Sequence, residues 1–136
     1  MSPIIEVDVI MVFLTAVLNM GLGMIWYSPD VFGKKWMKLT GLSKSKMPKD
    51  MGYIYALTFF ASLVASFTLE LFIANIPGSN AWTGLLIGFW AGIGFLAATN
   101  LSDYLFSGDS RKNELYLINT GFHIISLTVS GFLLGI

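Results

Sequence analysis

The chain has 136 residues, of which 55% are hydrophobic and only 12% charged, against about 25% charged in ordinary soluble domains. Its 8 Lys and Arg balance 8 Asp and Glu, so it lacks the basic excess of a nucleic-acid binder. Its hydrophobicity is the opposite of a disordered chain's. There is no cysteine, which removes disulfides, thiolate metal sites and cysteine nucleophiles. The length allows one domain. Such a small soluble domain could not hide this much apolar surface.

A membrane-crossing helix needs about 20 mostly apolar residues. Four stretches qualify: Val7–Tyr27, Gly52–Ile76, Ala81–Phe106 and Leu115–Ile136. They are continuously apolar, without the alternation of an outer-membrane barrel strand. The expected fold is therefore all-α, a single transmembrane four-helix bundle over residues 1–136. The leading residues carry Glu6 and Asp8 and no Lys or Arg, unlike a secretory signal, so the first stretch is expected to remain as a span.

Between the first two spans lie Lys34, Lys35, Lys38, Lys44, Lys46 and Lys49. The remaining basic residues, Arg111 and Lys112, lie between the last two. The positive-inside rule then places both loops in the cytoplasm and both termini outside, and a bacterial inner membrane is the expected location. Within the first loop, Ser28-Pro29-Asp30 has the pattern of a helix start. Phe32, Trp36 and Leu39 recur at helical spacing up to Gly41, a natural stop. An amphipathic interfacial helix is expected over Pro29–Thr40, with Trp26, Tyr27 and Trp36 at the lipid–water boundary. It either anchors the chain or binds anionic lipid or a partner. Pro48 is expected in the first turn of span two. Pro77-Gly78 predicts a tight turn between spans two and three.

Gly84, Gly88 and Gly92 recur every four residues and give span three one smooth face. Such a face lets another backbone approach closely. Its partner is either another span or a second copy of the chain. Polar groups are expensive in lipid and are expected to face the bundle interior. Asn19, Asn100, Asp103, Asn119 and His123 fall toward the basic half, with Ser126 and Ser130 continuing the Asn119–His123 stripe. Glu70 and Asn75 fall toward the other end. His123 is the only histidine; it can relay protons or sense pH, with Asp103 as a candidate partner. The same residues also serve as interhelical hydrogen-bond glue. Glu70 either reaches for the interface or lines an outer vestibule. One His and no Cys cannot form a usual zinc or bis-His haem site in one protomer, so no metal or cofactor is expected. No HExxH, GxSxG or P-loop motif occurs, and nothing announces an enzyme.

Two blocks carry a family resemblance. The first is Trp26-Tyr27-Ser28-Pro29 with Phe32-Gly33-Lys34 and Trp36-Met37. The second is Ile118-Asn119-Thr120-Gly121-Phe122-His123, continuing to Ser126-Leu127 and Gly131–Gly135. Together they resemble the domain-of-unknown-function 1761 family of small bacterial membrane proteins. The resemblance implies four spans and no particular activity. It draws attention to Asn119, His123 and the Trp26–Pro29 turn. Phe122 stands where family members often carry Tyr, which removes a hydroxyl from beside His123.

Two functional readings follow. One is a transporter or channel-like oligomer that uses the polar cluster. The other is a non-transporting scaffold or accessory subunit that binds lipid or another membrane protein.

Overall fold

The computed structural model describes residues 7–42, 49–109 and 111–136. All regular structure among them is helical. Helix α1 (Val9–Trp26) is followed by the short α2 (Gly33–Thr40) and then by α3 (Met51–Ala74). The next long helix comprises α4 (Ala81–Ala91), a π-helical segment (Gly92–Ala97) and α5 (Ala98–Leu105). Helix α6 (Arg111–Leu134) completes the bundle. Four helices, Val9–Trp26, Met51–Ala74, Ala81–Leu105 and Arg111–Leu134, are long and apolar enough to cross a membrane. They match the four expected spans to within a few residues. The end that carries α2 is the basic end, and the opposite end, which carries Val7 and Ile136, is the terminal end.

Local chemistry accounts for the helix boundaries. Asp8 caps α1, its carboxylate accepting from the Met11 amide at 3.2 Å. Asp50 caps α3 in the same way through Tyr53 at 3.2 Å. Asn80 caps α4 through Thr83 at 3.0 Å. Each satisfies an amide that the first helical turn leaves free. Gly41 ends α2 at φ 74°, and Gly78 takes φ 75° in the Pro77-Gly78 turn. Both angles lie in the left-handed region that glycine enters without a steric cost. Pro48 lies outside the described residues.

Helix α2 starts later than its sequence pattern predicts. Ser28-Pro29-Asp30 forms a turn instead of a helix start, and the helix begins at Gly33. The Ser28 hydroxyl donates back to the Ile25 carbonyl at 2.7 Å instead of accepting from the next turn. The Ser28 carbonyl takes the amides of Val31 at 3.1 Å and Gly33 at 2.8 Å. A Cβ on Gly33 would collide with the carbonyls of Tyr27 and Ser28. Tight folding of this turn against itself therefore overrides the capping pattern.

Helix α6 is the hub, packing against α1, α2, α3, α4, the π segment and α5. Its contact with α4 is the most extensive, followed by that of α1 with α3. The α4–α6 seam is backbone against backbone. A Cβ on Gly84 would strike the Gly131 carbonyl, and one on Gly131 would strike the Gly84 carbonyl. Gly88 faces the Leu127 carbonyl, Gly92 the Ile124 backbone and Gly135 the Asn80 carbonyl. The glycine face of span three is thus occupied inside the chain. The apolar core proper is small, formed by Val12, Leu69, Ile73 and Leu134. Large side chains such as Phe60, Trp82, Trp90 and Phe95 project outward, as a lipid-facing surface allows.

Candidate functional site

Three polar regions lie along the bundle, and α6 contributes to two of them. At the basic end, the two sequence blocks singled out above meet. The Trp26 indole N–H donates to the Ile118 carbonyl at 3.1 Å. The Tyr27 hydroxyl donates to Asn119 Oδ1 at 2.8 Å. Asn119 Nδ2 in turn points at the Tyr104 hydroxyl, 3.5 Å away. Trp26 lies over Gly121, where a Cβ would come within 3.5 Å of the indole. The Tyr27 ring stands edge-on to Phe122 at 5.6 Å and to Trp36 at 5.9 Å. Pro29 is exposed in the turn.

Tyr116 extends this region. Its hydroxyl donates to the Ala97 carbonyl at 2.5 Å, and its ring stands edge-on to Tyr104 at 5.1 Å. Ala97 ends the π segment. Changing from i→i+4 to i→i+5 pairing offsets the ladder, and Tyr116 accepts the role of partner to a carbonyl there. Such segments occur often at functional sites.

The middle region contains Asn19. Its Oδ1 accepts from Ser126 at 2.7 Å and from Ser130 at 2.9 Å, which ties α1 to α6. Asn19 also lines a cleft of about 540 Å³ between α3 and the π segment, floored by α1 and α6. Met20, Ala65, Phe95, Leu127 and other mostly apolar groups line it, together with His123. His123 is exposed. No hydrogen bond or ion pair joins it to Asp103, which is exposed on α5. Asn100 is half-buried on the same helix as Asp103. The structure therefore brings Asn19, Ser126 and Ser130 together and joins Asn119 to Tyr27, but it does not join Asp103 to His123.

The third region is at the terminal end. Glu70 does not reach out to the interface; it is 4% exposed, in the seam between α1 and α3. Its Oε2 has no hydrogen-bond partner among the described residues. It lines a recess of about 430 Å³ with Val7, Asp8 and Ala74. Deeper in the bundle, Thr15 on α1 and Ser66 on α3 are 0% and 1% exposed, and their hydroxyls also lack partners among the described residues. The threonine hydroxyls on α3 return to their own helix: Thr58 donates to Ile54 and Thr68 to Val64, both at 2.8 Å. Asn75 likewise donates to the Leu71 carbonyl at 2.7 Å. Sequence spacing did not single out Thr15, Ser66, Tyr104 or Tyr116. Among the described residues, no group of three or more His, Cys, Asp or Glu is placed to hold a metal ion.

Four apolar spans around a core threaded by amides and hydroxyls define a small multi-pass membrane protein. The chain belongs to the family described as "Protein of unknown function (DUF1761)", whose model matches residues 10–135. No curated protein and no solved structure matches it.

Proposed function

We propose that the protein is a transporter-like carrier for an amphipathic small molecule, which enters the α3–π cleft sideways from the bilayer. The observation that carries this reading is His123, exposed on the wall of a largely apolar cleft with Asn19 beside it. Ligand sites are typically concave and apolar, with a few convergent polar groups. An intramembrane ionisable residue is a functional candidate by default. In this reading the ligand's apolar body lies against Phe95 and Ala65, and its polar end meets His123 and Asn19. The loops bearing lysine and arginine face the cytoplasm, and the carrier works as an oligomer.

Photoactivatable fatty acid in lipid nanodiscs tests the cleft. Crosslinks are expected to concentrate on α3 and the π segment, and Ala65→Trp, which fills the cleft, should remove them. Labelling spread evenly over the lipid-facing surface and indifferent to Ala65→Trp would overturn the proposal. Orientation is tested by placing single cysteines in this cysteine-free chain. An impermeant maleimide on intact cells should label Ser79→Cys and spare Ser45→Cys.

A second reading, a scaffold that binds anionic lipid or a partner, has its own support in α2. Lys34, Lys35 and Lys38 are exposed there, while Trp36 and Leu39 are half-buried. If that reading holds, replacing these lysines with glutamine should release a bound partner while leaving cleft labelling intact.

A further inference from the structure

The α1–α3 seam holds polar atoms that the cleft does not use. The buried side-chain atoms that lack a partner among the described residues are Thr15 Oγ1, Ser66 Oγ and Glu70 Oε2. Ser66 and Glu70 follow Ser62 at one-turn steps on the face of α3 that meets α1, and Thr15 is buried on α1. Native proteins pair nearly all such groups, so each exception calls for a reason. The register of the seam is set by Ser62, whose hydroxyl lies 3.5 Å from the Ala16 carbonyl. That register places Asp8 level with Glu70, and the two share the terminal recess. Ser66 is one turn below Glu70, about 6 Å along the axis, and Asn19 is one turn below Thr15 by the same distance. Thr15 falls between Ser66 and Asn19. These steps are too long for direct hydrogen bonds, so a proton crosses them only when water enters between the groups.

We infer that Glu70 is a proton-exchange site at the terminal end of the bundle, supplied by Asp8 and continued inward through Ser66 and Thr15 to Asn19. Asp8 is exposed and meets water, whereas Glu70 is buried behind it. A proton on the Asp8 carboxyl passes to Glu70 Oε2, leaving Asp8 ionised and Glu70 neutral. From α1 the charged group facing Glu70 is Asp8. Neither α4 nor α6 brings a charged side chain to this end among the described residues. At the lower end of the seam Asn19 reaches the His123 cleft. This inference rests on the seam and not on cleft occupancy, so either proposal can fail alone.

Infrared difference spectroscopy across a pH step, with the full chain in nanodiscs, tests it directly. The expected result is a protonated-carboxyl C=O band that titrates and disappears in Glu70→Gln. The same band should survive in Asp103→Asn. Should Glu70→Gln fail to reconstitute, carbon-13 glutamate in the Glu6→Gln, Glu114→Gln double variant provides the alternative. In that chain Glu70 is the one remaining glutamate, and the band must shift with the label. In proteoliposomes, Ser66→Ala and Thr15→Val should keep the band but slow proton entry about tenfold. A missing band, a band indifferent to Glu70→Gln, unslowed proton entry in both hydroxyl variants, or a band that responds to sodium at fixed pH would overturn the proposal.

Discussion

The two main seams of the bundle use opposite materials. Between α4 and α6, glycine meets backbone and leaves no room for a single added carbon. Along α1 and α3, a carboxylate and two hydroxyls are buried with oxygens that lack a partner among the described residues. In lipid, close backbone packing holds helices together without a hydrophobic driving force, so the glycine seam is the frame. The polar seam lowers stability, because a buried unpaired group carries a penalty of about 1–3 kcal/mol. Its hydroxyls are better explained by a task than by cohesion.

The largest effect should come from breaking the frame. Gly88→Leu drives a side chain into the Leu127 carbonyl, and backbone cannot yield as a side chain does. A loss of about 3 kcal/mol is expected, at the upper end of ordinary overpacking costs. A fall in the detergent melting temperature measures it. Gly21→Ala is the control. Nothing lies within 4 Å of its added Cβ, so it should be neutral or gain about 0.5–1 kcal/mol from helix propensity.

The polar seam should respond with the opposite sign. Ser66→Ala removes a buried hydroxyl without a partner, and a stability gain of about 1 kcal/mol is expected. A clear loss in the same melt would mean that Ser66 is cohesive after all, and the contrast between the seams would fail. Tyr27→Phe and Asn19→Leu sharpen the comparison, because they remove hydrogen bonds that are made. About 0.6 kcal/mol should be lost per bond, so Asn19→Leu should cost about twice as much as Tyr27→Phe.

Much of the frame is legible before any coordinates. Four long apolar runs leave the backbone no option but helices, since every amide must be paired inside lipid. The glycine spacing shows which face of span three permits close approach. The polar seam is harder to read. Helix α3 is apolar on nearly every side, so periodicity does not decide which way Glu70 turns. Serine and threonine usually satisfy themselves on their own helix, as Thr58 does with Ile54, so Thr15 and Ser66 do not stand out in the sequence. The Tyr27–Asn119 bond joins positions 92 residues apart, which no local spacing encodes. Likewise, Ser28-Pro29 has the residue types of a helix start, and only the crowding of Gly33 against the Tyr27 and Ser28 carbonyls makes it a turn.

The smallest effects belong outside both seams, at the basic end. Lys35 and Glu114 form an ion pair at 3.4 Å, with side chains 55% and 56% exposed. Water screens such a pair, and Lys35→Ala should cost about 0.5 kcal/mol or less. Asp109 is similar: its hydrogen bonds with Arg111 hold its carboxyl below the usual carboxylate range. A depressed carboxylate stabilises the fold above its unfolded-state pKa, and that contribution fades as pH falls through the lower, folded value. Asp109→Asn should therefore differ slightly from the parent near neutral pH and converge with it in acid. The difference should shrink with added salt. A large, salt-insensitive effect from either change would mean that the loops help hold the bundle, and the division between a glycine frame and a polar seam would no longer account for its stability.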